Sequence, residues 1–264
     1  MRSVSVEGGA SPPATCASAG RSAPAEARER PTQRAAQRRR NRTRSGAFWS
    51  RPRPDTSRLG LSPRPIVGRG VPRTLLESSK ARLLELLTER SFEEREVTLA
   101  SGKRSNFYID CKQTTLDGEG HLLVGRLLFA LLEAHEAKAG VRHGAVGGLT
   151  LGADPIASAV TMTAALAGRS LPAFIVRKEP KGHGTAAYIE GIKNLPAAGR
   201  LVIVEDVVTT GGSAQKAIAR VRDAGFTVDL VLGLVDRLEG GRETLTSEGC
   251  TLLTLFDRRD FPGA

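Results

Sequence analysis

The chain has 264 residues, 40% of them hydrophobic and 25% charged, with a formal net charge of +11. That length holds one or two domains. Its three cysteines, Cys16, Cys111 and Cys250, are too few and too scattered for a disulfide framework or a metal cluster, and no apolar run reaches the length of a transmembrane helix.

The charge is uneven. Residues 1–73 hold 16 Arg, no Lys and four acids (Glu7, Glu26, Glu29, Asp55), a local +12, which leaves −1 for the other 191 residues. Residues 1–72 form an Arg-, Pro-, Ser- and Ala-rich leader with almost no hydrophobic periodicity. Such a segment buries too little surface to offset its ordering entropy and is expected to be disordered. The cluster Gln37-Arg38-Arg39-Arg40-Asn41-Arg42 is of the kind that binds RNA or other polyanions. A targeting segment and a reading frame begun upstream of the true start are the other two readings. The absence of a continuous apolar stretch argues against a secretory signal.

Residues 73–264 are expected to form the globular domain. A helix is predicted from near Ser79, with Ala81, Leu83, Leu84, Leu86 and Leu87 apolar. Two strands, Glu93 to Ala100 and Asn106 to Cys111, flank the turn at residues 101–105. A helix is predicted from Asp117 to about Lys138, with Leu122, Leu123, Leu127, Leu128, Leu131 and Leu132 facing the core. Ala145 to Gly148 is a short strand. A Gly-rich turn and an Ala-rich helix, about Asp154 to Ala167, follow it. Ala173 to Arg177 is the next strand. The polar stretch Lys178 to Gly199 is long for a loop in a compact domain and reads as a lid. Leu201 to Val204, three of the four β-branched, is a buried parallel strand. After it come two acids, a turn, and a helix with Ala214, Ala217, Ile218 and Val221 on one face. Phe226 to Asp236 and Thr251 to Phe256 are the last strands. Strands alternating with helices predict an α/β fold with a doubly wound, mostly parallel sheet. Ligands of such sheets sit beyond the carboxyl ends of the strands, where the signature turn, Gly147-Gly148, Arg177 and Asp236-Arg237 are expected to fall.

The densest chemistry lies in Glu205-Asp206-Val207-Val208-Thr209-Thr210-Gly211-Gly212-Ser213. Glycines let the backbone approach an anion, and hydroxyls with free N–H groups at a helix start hold a phosphate. Carboxylates beside such a cradle make sense if they grip sugar hydroxyls with a metal nearby. The site suits a ribose carrying a 5′-phosphate. There is no G-x-G-x-x-G after a strand and no Walker A sequence, which disfavours dinucleotide-binding and ordinary P-loop folds.

The stretch Leu201–Ser213 closely resembles the diphosphoribosyl-binding motif of type I phosphoribosyltransferases. Four further segments, residues 99–110, 177–184, 147–157 and 235–239, match in order and spacing the orotate phosphoribosyltransferases, over about Leu75 to Phe261. The resemblance implies the type I phosphoribosyltransferase fold with a small N-terminal hood. It implies transfer of phosphoribose from 5-phosphoribosyl 1-diphosphate to orotate, with Mg²⁺ as cofactor and no certain protein ligand to the metal. It also implies a homodimer whose lid reaches the neighbouring subunit's site.

Residue by residue, the resemblance places Glu205 and Asp206 on the ribose hydroxyls and Thr209, Thr210, Gly211, Gly212 and Ser213 around the 5′-phosphate, with Val207 and Val208 in the same phosphoribosyl diphosphate site. Arg177, Lys178, Lys181 and His183 put four potential cations in seven residues beside the diphosphate. A departing diphosphate needs such neutralisation. Arg104 stands where the family carries a Lys that helps hold the diphosphoribosyl group, with Lys103 next to it. Phe107, Tyr108, Thr209 and Arg237 match the orotate pocket, a guanidinium fork suiting a planar carboxylate. Lys181, His183 and Asp206 are the candidate catalytic residues. Each has an ordinary counterpart: a solvated basic loop, a strand-end Arg, a strand's core aromatics.

Two positions depart from the family. Leu151 and Gly152 replace a common Tyr-Lys pair, so a cation is missing there, and Gly182 replaces an acid common in the lid. A sibling enzyme acting on a purine or uracil is one alternative, disfavoured by Phe107, Tyr108 and Arg237. A nucleic-acid-binding regulator of the same fold is the other, disfavoured by the complete cationic lid and the lack of a helix-turn-helix pattern. A fused decarboxylase is disfavoured by length. The few cysteines fit a reduced, cytoplasmic setting without membrane attachment.

Overall fold

A computed structural model of the chain describes residues 73–98, 104–182 and 188–263. The elements in order are α1 (Arg73–Arg90), β1 (Phe92–Thr98), β2 (Arg104–Ile109), α2 (Lys112–Thr115), α3 (Gly118–Ala139), β3 (Ala145–Leu149), α4 (Ala153–Leu166), β4 (Ala173–Val176), β5 (Ile189–Glu190), β6 (Arg200–Val208), α5 (Gly212–Asp223), β7 (Thr227–Asp236), α6 (Gly241–Ser247) and β8 (Thr251–Asp257). Single 3₁₀ turns, Ile192–Asn194 and Arg258–Asp260, follow β5 and β8.

The main sheet has six strands in the order β5-β4-β3-β6-β7-β8. All pairings are parallel except β4–β5. From β3 the chain winds outward through β4, and from β6 it winds the other way through β7 and β8. A crevice opens where the winding reverses, beyond the ends of β3 and β6. The expected doubly wound sheet is therefore present. β1 and β2 form the separate antiparallel ribbon of the hood.

Strand alternation builds two cores. Val202, Val204, Leu230 and Leu232 pack with Leu83, Leu128 and Val160 from α1, α3 and α4. Leu201, Ile203 and Val231 pack with Ala214, Ala217, Ile218 and Val221 of α5 and Leu245 of α6. Each fully buried aliphatic side chain contributes about 1.5–3 kcal/mol. α3 starts on Asp117, whose carboxylate accepts the N–H groups of Glu119 and Gly120, and ends on Gly140 in the left-handed region.

Four local expectations need correction. α1 begins at Arg73 rather than near Ser79, because Leu76 already packs against the core. Residues 178–199 are not one long loop. The chain returns at β5 to pair with β4, and Leu195 is buried, so the excursion runs from Arg177 to Tyr188. β6 does not stop at Val204: it continues through both acids to Val208, paired with β7 throughout. Gly147 and Gly148 lie inside β3, not beyond its end, and added Cβ atoms would meet the Phe174 and Val204 carbonyls at 2.2 Å.

At the amino ends of the strands lies a network of charges. Glu136 of α3 is 3% exposed. It accepts from the His143 N–H (2.8 Å), from both Arg169 arms (2.9 and 2.8 Å) and from Arg142 (2.9 Å). The His143 ring lies between Glu136 (3.1 Å) and Asp229 (3.0 Å), and Arg200 pairs with Asp229. Asp229 is the extra residue of a register shift: Leu201 faces Val228, whereas Val202 faces Leu230.

Candidate active site

At the carboxyl ends of the strands the signature segment closes on itself. β6 delivers Glu205 to Val208, Thr209 and Thr210 turn, and Gly211 caps α5 at φ 87°. That φ favours glycine. A Cβ on the facing Gly241 would meet the Thr209 carbonyl and Val208 Cγ1, both at 2.5 Å, so the turn rests directly on the start of α6. Glu205, Val207, Val208, Thr209, Gly211, Gly212, Ser213 and Ala214 line a hollow of about 190 Å³. Thr210, expected among them, is not part of the lining. The first N–H groups of α5 have no intrahelical partners and carry the positive end of the helix dipole, which suits an anion.

Glu205 is 6% exposed and its Oε2 has no hydrogen-bond partner. Burial, reinforced by the neighbouring Asp206 carboxylate, pushes its pKa up to about 8. Asp206 lies against Gly152: a Cβ at Gly152 would stand 2.4 Å from Asp206 Cγ. The position where the family commonly carries a cation therefore faces the Asp206 carboxylate, which here has no side chain opposite it from Gly152. Burial raises the Asp206 pKa, opposed by its own bond to the Val207 N–H and by the charge of Lys112. Lys112, paired with Asp110, was not singled out from the sequence; its place three residues beyond β2 is the only hint. Cys111, fully buried beside it, points its thiol at the Asp206 carbonyl, and burial pushes that thiol well up, so it is unreactive.

The turn after β3 is fastened by Thr150, whose hydroxyl donates to Asp154 (2.7 Å) and whose N–H donates to the Val176 carbonyl (2.9 Å). Leu151 projects outward, 67% exposed.

The basic stretch leaves β4 at Arg177. Arg177 and Lys181 converge on Glu190 of β5, at 2.9 and 3.7 Å. Glu190 is a second residue the sequence reading missed. Lys178 is exposed, and Gly182 has a φ of 75°. His183, Lys103 and the side chain of Arg104 lie outside the described residues.

The proposed base-binding residues do not form a single wall. Phe107 is 2% exposed and packs against Phe92 and Phe261 at centroid distances of 5.1 and 5.5 Å. Tyr108, the next residue on the strand, faces the other way, with Arg95 3.8 Å from its ring. Arg237 does approach Phe107, its guanidinium 5.5 Å from the ring centre, and it pairs with Glu239 at 2.9 Å. The Arg237 N–H donates to the Val208 carbonyl (2.8 Å), joining this segment to the signature turn. Asp236, 1% exposed, holds the Leu238 N–H (2.9 Å) and so fixes the bend that follows.

No family model matches the chain. It is 50% identical over 184 residues to the orotate phosphoribosyltransferase of Sorangium cellulosum (strain So ce56), covering 70% of this chain and 93% of that protein. It is 48% identical over 181 residues to the orotate phosphoribosyltransferase of Nostoc sp. (strain PCC 7120), covering 69% and 84%. Among solved structures, the Mycobacterium tuberculosis H37Rv orotate phosphoribosyltransferase in complex with 5-phospho-alpha-D-ribosyl 1-diphosphate is similar at a TM-score of 0.54 and 35% identity, over 69% of this chain and 98% of that one. The Aeropyrum pernix orotate phosphoribosyltransferase is similar at 0.54 and 35%, over 67% and 94%.

Proposed function

The chain belongs to the orotate phosphoribosyltransferases, and from that premise we propose how its own residues carry the family's reaction. The reaction is transfer of the 5-phosphoribosyl group from 5-phosphoribosyl 1-diphosphate to orotate, giving orotidine 5′-monophosphate and diphosphate in pyrimidine synthesis. The observation that carries the assignment of roles is the juxtaposition of the buried Glu205 carboxyl, whose Oε2 has no hydrogen-bond partner, with the hollow lined by residues 207–209 and 211–214. The 5′-phosphate takes the hollow, with Thr209, Ser213 and the α5 N–H groups as donors. The ribose hydroxyls then satisfy Glu205 and Asp206. As C1′ loses its bond to the diphosphate, positive charge develops on the ring; the Asp206 carboxylate stabilises it, and that charge favours ionisation of Glu205 beside it.

Arg177, Lys178, Lys181 and His183 neutralise the departing diphosphate, supported by the convergence of Arg177 and Lys181 on one carboxylate, Glu190. Orotate lies against Arg237 and Thr209, with Phe107 beneath Arg237. Its ring nitrogen needs no strong protein base, so positioning and electrostatics supply the rate. Mg²⁺ would be held chiefly by the diphosphate and the ribose hydroxyls, with the unsatisfied Oε2 of buried Glu205 and the half-buried Asp206 carboxyl close to them. When bound, the ion offsets charge on the diphosphate. We extend the reading to a catalytic domain of residues 73–264, a cytoplasmic location, and a homodimer whose basic stretch serves the neighbouring site. The 72% exposure of the Lys181 side chain supports the last of these.

Loss of orotate absorbance, followed with the full chain, 5-phosphoribosyl 1-diphosphate and Mg²⁺, tests the reading. Turnover of orotate and none of uracil or adenine is expected. Turnover of another base in place of orotate would overturn the proposed base pocket.

A further inference from the structure

Helix α5 does more than start at the phosphate hollow. Arg220 stands eight residues after Gly212, two turns and about 12 Å along the axis. Its guanidinium donates to the carbonyls of Arg177 and of Lys178, the latter at 3.0 Å. The same group lies 4.2 Å from the centre of the Tyr188 ring. Arg177 and Tyr188 are the two feet of the basic excursion between β4 and β5, joined by the Arg177 N–H to Tyr188 carbonyl bond (2.8 Å). One side chain therefore grips both feet from the helix whose amino end forms the phosphate cradle.

We propose that Arg220 is a positioning residue for diphosphate recognition, resting on the reading above. It fixes the Arg177–Lys178 backbone to α5, so that the cations meant for the diphosphate and the cradle meant for the 5′-phosphate are held at a set spacing by one rigid element. The ligand has two anionic ends of fixed separation, and a receptor whose two halves share a rigid part loses less freedom on binding it. An Arg suits the task because its planar fork serves two adjacent carbonyls at once and still presents a face to an aromatic ring, which a Lys ammonium cannot do. The polar placement of Arg220 on an amphipathic helix would otherwise read as simple solvation.

The test compares two ligands by calorimetry, 5-phosphoribosyl 1-diphosphate and ribose 5-phosphate, on the full chain and on Arg220→Ala and Arg220→Lys. The second ligand lacks the diphosphate and uses only the cradle, so it also reports whether the variant is folded. Arg220→Ala should weaken the diphosphate ligand about tenfold and leave ribose 5-phosphate within about twofold, with Arg220→Lys intermediate. Equal weakening of both ligands, or of neither, would overturn the proposal. A wild-type protein that holds ribose 5-phosphate but gains nothing from the diphosphate would instead overturn the underlying reading of the basic stretch.

Discussion

Two buried glutamates mark the two ends of one sheet, and they are treated oppositely. Glu136, at the amino ends of the strands, is surrounded by Arg142, His143 and Arg169. Burial alone would raise its pKa, but the bonds from His143 and Arg169 outweigh burial and hold it at about 2. Glu205, at the carboxyl ends, is nearly as buried, has an oxygen with no partner, and is pushed up to about 8. Burial is common to both; the supply of donors is not. Where the fold completes its own electrostatics the charge serves stability, and where it leaves them incomplete the proposed function puts the ligand in the missing place.

The sharpest way to break this contrast is Glu205→Gln. Turnover should fall by about 100-fold, the scale of losing one charge-stabilising group in a transition state, while the melting temperature at pH 7 rises above wild type, because the glutamine carries no carboxyl that folding must keep protonated. A large loss of stability at pH 7 would show that Glu205 is structural after all. Arg169→Ala should do the reverse. It strips Glu136 of a bidentate partner and should cost about 3–5 kcal/mol by denaturant titration, with activity per folded molecule retained.

The two glutamates also predict opposite pH dependences. Glu205 is raised above its ordinary 4.5, so the folded protein holds that proton longer, and stability declines as pH rises from about 4.5 to about 8. Glu136 is lowered, so its contribution is present above 4.5 and is lost as pH falls towards 2. Melting curves across that range should lose the upper slope in Glu205→Gln and the lower one in Glu136→Gln. The smallest change is Gly152→Ala. Its methyl group would turn the Asp206 carboxylate aside, with little loss of stability, and weaken 5-phosphoribosyl 1-diphosphate binding. Unchanged binding in that variant would separate Asp206 from the ribose site.

Much of the architecture was legible because it is periodic. The α5 face of Ala214, Ala217, Ile218 and Val221 and the apolar run of β6 follow from spacing alone. The extension of β6 through Glu205 and Asp206 did not, because adjacent carboxylates read as a strand end until β7 is seen pairing with them. α2, α6 and β5 are too short to show a period. The charge network escaped for a different reason: Glu136, His143, Arg169 and Asp229 come from separate elements and meet only in three dimensions. Gly152 shows the same limit at the site. The sequence records a missing cation, while the carboxylate that faces that position, Asp206, lies fifty-four residues along.

The additional residue in β7, Asp229, makes that strand a ruler with an offset. Beyond it the pairing resumes one step later, and that step sets Val208 opposite Asp236 and its carbonyl within reach of the Arg237 N–H. A deletion at Asp229 would slide every following residue by about 3.3 Å and turn each to the opposite face, moving Leu232 out of one core and Val231 out of the other. It would also carry Arg237 out of step with the phosphate turn. A single inserted residue at the far end of the sheet thus determines which side chain arrives at the ligand.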